Sequence, residues 1–285
     1  MSSTATLRTR IESSLGERLA PTLLLRERIA PQTVPIGIAE LDSLTGGLPR
    51  GALSEITGPA SSGRTGIMLS ALAASTQRQE VCALVDAGDS FDPTSAAAAG
   101  IVLDRLLWIR CSEHEQLPLP DFTRNARPRR KALRRLEQVL KVTDLLLQSG
   151  GFGMVVLDMG DLPAESTRRV PMTSWFRFRR AAEPTSTVLL LIEREACAKT
   201  CASLVIQLQR RTICASNAAP ENLEEPTGWH IVSNVNPVIP ANNPVSHAAL
   251  LHGMQFEAEV IRSWTRKPVQ SARSVFTLTC NAPIG

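Results

Sequence analysis

The chain has 285 residues, of which 43% are hydrophobic and 20% are charged, and its formal net charge is +4. This length and composition suffice for a sizeable buried core, in one large domain or in one domain with appendages. No apolar run approaches the roughly 18 residues of a membrane span, and the N-terminus lacks the apolar segment of a secretory signal. We therefore expect a cytoplasmic protein without a membrane partner.

The first predicted element is a short amphipathic helix. Four apolar residues recur at helical spacing over residues 5–19, and they would form one face of an N-terminal arm comprising residues 1–30. They are Leu7, Ile11, Leu15 and Leu19.

Residues 31–280 alternate between apolar runs and helical patterns. The predicted strands cover residues 52–57, 81–87, 106–111, 154–158, 187–193 and 203–209. Helices are predicted from Thr65, after Asp92 as an N-cap followed by Pro93, over 129–149, and around 175–182. Residues 212–250 are rich in Asn and Pro and predict an irregular insertion, residues 251–280 a terminal hairpin, and residues 281–285 a tail.

This pattern predicts an α/β fold. Strands that are continuous apolar runs, alternating with helices, are typical of a mostly parallel central sheet covered by helices on both faces. The alternating strands of the predicted hairpin add antiparallel strands at the C-terminal end.

The stretch GPASSGRT, Gly58–Thr65, has the form of a phosphate-binding loop between a strand and a helix. Such a loop has the pattern GxxxxGK[ST] and holds phosphates with backbone N–H groups at a helix N-terminus. Arg64 stands where the pattern has lysine. Its planar, forked guanidinium is no simple substitute for a compact ammonium, although it binds phosphate from other angles.

The segment GLPRGALSEITGPASSGRT resembles the nucleotide-binding segment of the RecA recombinase family. The similarity continues at CALVDAGDSFDP, at MVVLD, which resembles the Walker B strand, at CASLVIQLQRR and at FEAEVIRSWTRKP. The helix over 5–19 is similar to the arm by which RecA subunits pack on a neighbour. The resemblance covers about Leu7 to Cys280 and implies a RecA-like P-loop fold, with RecA's C-terminal domain expected to be absent.

The resemblance also implies a nucleotide site, with ATP and magnesium as its cofactor if the site is retained. The residues that it assigns to nucleotide binding are Gly58, Ser61, Ser62, Gly63, Arg64, Thr65, Asp92 and Asp158.

Two departures from the family pattern bear on catalysis. The family's catalytic glutamate falls on Gly88, and the aromatic residue that stacks on adenine falls on Ser95. ATP hydrolysis needs a positioned water, a metal and charge stabilisation on the γ-phosphate, so we expect little or no hydrolysis and assign no catalytic residue. Three alternatives stay open: hydrolysis with Asp89 replacing the glutamate, nucleotide binding without hydrolysis, and a loop that is only a structural remnant.

Two basic segments are candidates for contact with DNA or a protein partner. Residues 124–135 contain seven basic residues and no acidic one, and positive charge near a helix N-terminus opposes the helix dipole. Contact with phosphates or an acidic partner would explain it, whereas a solvated charged face is the alternative. The second segment is WFRFRR, whose aromatic residues alternatively form the buried side of a short helix. The predicted contact residues are Arg129, Arg130, Lys131, Arg134, Arg135, Trp175, Arg177, Arg179 and Arg180.

Cysteine and histidine spacing predicts no metal site. The six cysteines include no CxxC pair, and neither they nor the four histidines form a zinc-ligand pattern. We expect reduced thiols, with Cys197 and Cys201 left open as a redox-active pair.

Within the RecA superfamily the chain most resembles the ImuA type, which are RecA-like accessory proteins of bacterial DNA-damage tolerance. This resemblance implies a scaffold with RecA, an ImuB-like Y-family polymerase homologue, or an error-prone polymerase as partner. An active ATP-dependent RecA paralog and a nucleotide-independent binder of single-stranded DNA are the alternatives.

Overall fold

The computed structural model describes residues 32–111, 127–215, 251–263 and 273–279. The chain divides into two compact units, Met1–Pro31 and Gln32–Gly285. The predicted arm helix with Leu7, Ile11, Leu15 and Leu19 lies outside the described residues, as does the predicted tail.

The second unit is built on one eight-stranded sheet among the described residues, in the order β10-β9-β8-β3-β7-β6-β4-β5. The strands from β3 to β8 run parallel to their neighbours, whereas β8, β9 and β10 pair antiparallel. The strands of this sheet are β3 (Leu53–Thr57), β4 (Cys82–Asp86), β5 (Leu106–Arg110), β6 (Met154–Asp158), β7 (Val188–Glu193), β8 (Ala202–Ala215), β9 (Leu251–Arg262) and β10 (Arg273–Thr279). A separate two-stranded pair consists of β1 (Thr33–Val34) and β2 (Leu48–Pro49).

Helices cover both faces of the sheet. They are α1 (Ala39–Thr45), α2 (Arg64–Gln77), α3 (Pro93–Ala98), α4 (Arg127–Ser149), α5 (Ala164–Thr167) and α6 (Met172–Ala182). One buried cluster joins α1 and α2 to one face, and a second joins α4 and α6 to the other. Every residue of β3, β4 and β7 is buried, which explains why β4 and β7 are mainly apolar, whereas β3 also buries Ser54, Glu55 and Thr57. The predicted α/β fold is confirmed.

No helix in the described part of the chain is long and apolar enough to cross a membrane.

Strand β8 is longer than the strand predicted over residues 203–209. β8 continues to Ala215, where it pairs with Leu251 of β9, so the first four residues of the predicted irregular segment 212–250 belong to a strand. The reason is tertiary, because β9 supplies the pairing partner from more than 35 residues further along the chain. Residues 216–250 lie outside the described residues.

Candidate nucleotide-binding site

The loop Gly58–Thr65 leaves β3 at the carboxyl edge of the sheet and enters α2. Helix α2 begins at Arg64, directly after Gly63, whose φ is 89°. The first N–H groups of a helix have no partner within the helix, and the helix dipole is positive at that end. The loop therefore has the geometry of an anion-binding turn.

Side chains and backbone from other strands support this loop. The Gly58 N–H donates to the backbone oxygen of Glu193 at 3.2 Å. A Cβ at Gly58 would lie 2.5 Å from Ser62 Oγ, and one at Gly63 would lie 3.1 Å from the ring of Phe256 on β9. Gly58 is required because a Cβ there would also lie 2.7 Å from the backbone oxygen of Leu208, and Gly63 is required by its φ of 89°. The Phe256 contact is a support that sequence reasoning missed.

The remaining loop residues differ in exposure. Ser61 is exposed with φ of 57°, Ser62 is buried, and Thr65 is exposed in the first turn of α2. A Thr65 hydroxyl in this place is suited to a magnesium ion that accompanies a bound phosphate.

The Arg64 side chain extends to the end of β6. A Cβ at Gly160 would lie 2.8 Å from Arg64 Nη1 and 3.2 Å from Asp158 Oδ1, so the absence of a side chain at Gly160 makes room for the guanidinium. Burial lowers the pKa of Arg64, and the nearby Asp158 carboxylate opposes that effect. Nη1 is buried, and its two N–H groups have no hydrogen-bond partner among the described residues.

Carboxyl groups line the edge that Arg64 reaches. Asp86 on β4 is in register with Asp158 on β6, and Glu193 ends β7 opposite Thr57. Asp158 Oδ1 accepts the Gly160 N–H at 3.0 Å. Burial raises the pKa of Asp158 to about 6, with a further increase from Asp86. The positive charge of Arg64 therefore offsets the negative charge of the carboxylates at this edge of the sheet, in addition to any contact with phosphate.

The side chain of Asp161, which follows β6, occupies the space beside Gly88, where the family has its catalytic glutamate. A Cβ at Gly88 would lie 2.5 Å from Asp161 Oδ2 and 3.0 Å from Asp161 Cβ. Asp89, the alternative candidate, accepts from Arg110 Nε at 2.5 Å and Nη2 at 2.8 Å, and this hydrogen bonding lowers the pKa of Asp89. Asp89 is thus engaged in an ion pair, and Gly88 has no space for a longer side chain in this arrangement.

Asp92 is the N-cap of α3, as predicted. Its carboxylate accepts from the N–H groups of Thr94 (3.2 Å) and Ser95 (2.9 Å) and from Ser95 Oγ (2.6 Å). This capping lowers the pKa of Asp92. Its assignment to nucleotide binding stays a prediction, and a ligand would have to share a carboxylate that already caps a helix.

Comparison with known proteins agrees with this geometry. Residues 5–119 match the model of the RecA N-terminal domain. The chain is 33% identical to Protein RecA of Rickettsia canadensis over 150 residues. It is 35% identical to Protein RecA of Nostoc punctiforme over 149 residues.

The chain is similar to RecA over about half of its length. The two matches each cover 52% of it and span only 37% and 35% of the respective relatives. The predicted RecA-like superfamily is therefore supported, whereas the ImuA type belongs to the proposals below.

Only part of the first basic segment of this RecA-like chain is described by the structure. Helix α4 begins at Arg127, so Arg129, Arg130 and Lys131 lie in its first turns, but their side chains are outside the described residues. Arg134 is exposed. Arg135 is half-buried, and its Nε is buried without a hydrogen-bond partner.

The second basic segment lies on α6. Arg177 and Arg180 are exposed and Arg179 is half-buried. Arg177 Nε donates to Asp144 Oδ1 on α4 at 3.0 Å. Asp144 is nine residues beyond Arg135, or about 14 Å along the helix axis at 1.5 Å per residue. The second basic segment therefore contacts α4 at a place well separated from the first basic segment.

The prediction that Trp175 contacts DNA or a partner is wrong. Its ring is 0% exposed and packs edge-on against Phe178 at 5.9 Å between centroids. Phe176 is 52% exposed. Helical geometry places neighbouring residues on different faces, so the alternative of a buried helix side holds for Trp175 and Phe178, and Phe176 is the aromatic residue available at the surface.

Proposed function

We propose that this RecA-like chain is an accessory or scaffold protein of bacterial DNA-damage tolerance, of the ImuA type, with little or no ATP hydrolysis. The observation that carries the proposal is the packing of Asp161 over Gly88. Position 88 supplies no carboxylate, and the nearby Asp89 is held by Arg110. Neither the position of the family's catalytic glutamate nor its neighbour therefore offers a free carboxylate to position water, which is one of the requirements of ATP hydrolysis.

Nucleotide binding without hydrolysis is part of this proposal. The N-terminus of α2, the unpartnered Arg64 Nη1 and the exposed Thr65 hydroxyl fit a phosphate group. Thr65 and Asp158 would hold the accompanying magnesium ion. Binding of ATP with magnesium would then shift the equilibrium between the free chain and its complex with partner proteins.

The proposed partners are RecA, an ImuB-like Y-family polymerase homologue and an error-prone polymerase. The partner surface we propose is the exposed side of α6, where Phe176 stands beside Arg177 and Arg180. An exposed aromatic residue with neighbouring arginines is the composition that dominates binding energy at protein interfaces.

The test is to measure binding and hydrolysis of ATP with magnesium by the full-length chain. We expect binding that Arg64→Ala and Thr65→Ala weaken, and no hydrolysis above background. Gly88→Glu is expected to leave hydrolysis absent, because the new side chain meets Asp161. Gly88→Glu combined with Asp161→Ala removes that obstruction and is the matched comparison.

Two outcomes would contradict this proposal. Hydrolysis by the wild-type chain that Asp89→Ala abolishes would establish the active paralog instead. Failure of the chain to capture purified RecA or a Y-family polymerase, with and without ATP, would remove the scaffold role.

A second candidate function, binding of single-stranded DNA without nucleotide, is favoured by the same exposed Phe176. Aromatic residues stack on bases, and neighbouring arginines contact the phosphate backbone.

Charge reversal on α6 tests this second function. If α6 binds DNA, Arg180→Glu should weaken binding and reduce the salt dependence by about one phosphate contact. Arg210→Glu, an exposed substitution of identical charge on β8, should leave specific binding by α6 unchanged. Fluorescence anisotropy with a labelled oligonucleotide at several salt concentrations measures both effects, and equal losses in the two variants would exclude α6 as the DNA site.

A further inference from the structure

Three buried side chains converge from β3, β7 and the segment after β7. Glu55 lies within β3, Glu193 ends β7, and Cys197 lies in the segment that follows β7; they are 0%, 1% and 5% exposed. One carboxylate oxygen from each glutamate and the Cys197 Sγ all lie within 4.8 Å of one another. We refer to these three residues as the thiol–carboxylate cluster.

The hydrogen bonds of the cluster are incomplete. Glu55 Oε1 accepts the backbone N–H groups of Cys197 (2.9 Å) and Ala198 (2.7 Å), which fixes the Glu55 side chain. The Cys197 thiol donates to Glu193 Oε1 at 2.8 Å. Glu55 Oε2 and Glu193 Oε2 are both buried without a hydrogen-bond partner. Leaving a buried acceptor without a partner costs free energy of solvation, so two in one cluster indicate a missing ligand.

The charges of the cluster point to a cation. Within the described ranges, neither Glu55 nor Glu193 forms an ion pair within 4.0 Å with a basic side chain. Arg64 opposes the raised pKa of Glu193, and Arg262 opposes the raised pKa of Glu55. Buried carboxylates normally pair with a cation or coordinate a metal.

The donor types favour zinc over magnesium or calcium. Magnesium and calcium take oxygen ligands, whereas a thiolate selects softer ions such as Zn²⁺. Zinc–oxygen and zinc–sulfur distances of about 2.0–2.3 Å place tetrahedral ligand atoms roughly 3.5 Å apart. Donor atoms already within 4.8 Å of one another reach that spacing through small side-chain rotations.

We propose that Glu55, Glu193 and Cys197 bind one divalent zinc-type cation, with the Cys197 thiol proton released to solvent on binding. This site departs from the sequence-based expectation of no metal. The cation would connect β3, β7 and the segment after β7, and it would stabilise the phosphate-binding loop because Gly58 donates to the Glu193 backbone oxygen.

Cobalt is the probe that tests this site, because a cysteine thiolate bound to Co²⁺ gives an ultraviolet charge-transfer band. The full-length chain is treated with a chelator, freed of it, and titrated with Co²⁺. We expect a thiolate band that saturates at one equivalent and disappears when Zn²⁺ is added. Cys197→Ser should abolish the band, and Glu193→Gln should weaken Co²⁺ affinity by more than the roughly 10–100-fold typical of an outer-shell partner.

Cys201→Ser is the matched control, because Cys201 is a buried cysteine outside the cluster and its removal should leave the band intact. The proposal is overturned if the wild-type chain shows no thiolate band, if the band survives in Cys197→Ser, or if Cys201→Ser removes it equally. Should Cys197→Ser fail to fold, X-ray absorption of the zinc-loaded wild-type chain decides, since a zinc shell without a sulfur neighbour refutes the site.

Discussion

Replacing Trp175 with alanine is expected to lower the free energy of unfolding by about 3–5 kcal/mol, the usual cost of removing a buried tryptophan. Trp175 is 0% exposed and belongs to the cluster that joins α6 to α4 and the sheet. The loss combines the burial of a large apolar side chain with the cavity left between two helices and the strands beneath them. Urea unfolding followed by circular dichroism measures it.

Phe176→Ala is the matched control, because Phe176 is the adjacent aromatic residue and is 52% exposed. Its substitution should change the unfolding free energy by no more than about 0.5 kcal/mol while weakening partner or DNA binding. Similar stability losses in both variants would contradict the assigned orientation of α6. Unchanged stability with lost binding in Trp175→Ala would restore Trp175 as a contact residue.

The second large expected effect is a decrease in the free energy of unfolding as the pH rises, caused by deprotonation of Glu193. In chelator-treated protein, burial raises the pKa of Glu193 from 4.5 to about 8. Between these pH values Glu193 carries a proton in the folded chain but not in the unfolded chain, so raising the pH favours unfolding. At about 1.4 kcal/mol per pKa unit, the full shift corresponds to roughly 4–5 kcal/mol.

Several groups face Glu193 and set the size of this effect. Glu55 raises the pKa of Glu193 further, whereas the hydrogen bond from the Cys197 thiol and the positive charge of Arg64 oppose the increase. The pKa of Glu55 is itself raised by burial, so it adds a slope of the same sign. The difference between the wild-type chain and Glu193→Gln isolates the Glu193 contribution.

Unfolding free energies from pH 5 to 8.5 therefore provide the measurement. Glu193→Gln should flatten the decline and be more stable than the wild-type chain at the upper end. Glu195→Gln is the control, because Glu195 is an exposed carboxylate that pairs with Arg168, and its loss should leave the slope in place. A decline of equal steepness in Glu193→Gln would show that Glu193 does not hold a proton in the folded chain.

Much of the architecture could be predicted because its signals are local. Continuous apolar runs mark strands buried on both faces, and Asp92 followed by Pro93 marks the start of α3, which the structure confirms. The end of β8 could not be predicted this way, since Thr212 to Ala215 are strand only because β9 pairs with them.

At the predicted contact surface, the sequence did not show which aromatic side chains of α6 face the core and which face solvent. The sequence WFRFRR contains three aromatic residues within four positions, and composition does not tell which of them face the sheet. Packing of α6 against α4 buries Trp175 and Phe178 and leaves Phe176 exposed. A three-residue spacing between Trp175 and Phe178 was the available signal, because residues three apart share a helix face.

The candidate nucleotide site also combines features that the sequence determines with features that only the tertiary structure decides. By itself the sequence determined the anion-binding turn, the arginine in the lysine position and the absence of a side chain at Gly88, because these depend on residue identity and on neighbours along the chain. Only the tertiary structure decided where Arg64 points, that Asp161 occupies the space over Gly88, and that Glu55, Glu193 and Cys197 meet. Those contacts join loops from different strands at one edge of a parallel sheet, and the distance between such loops depends on strand order, which no local pattern encodes.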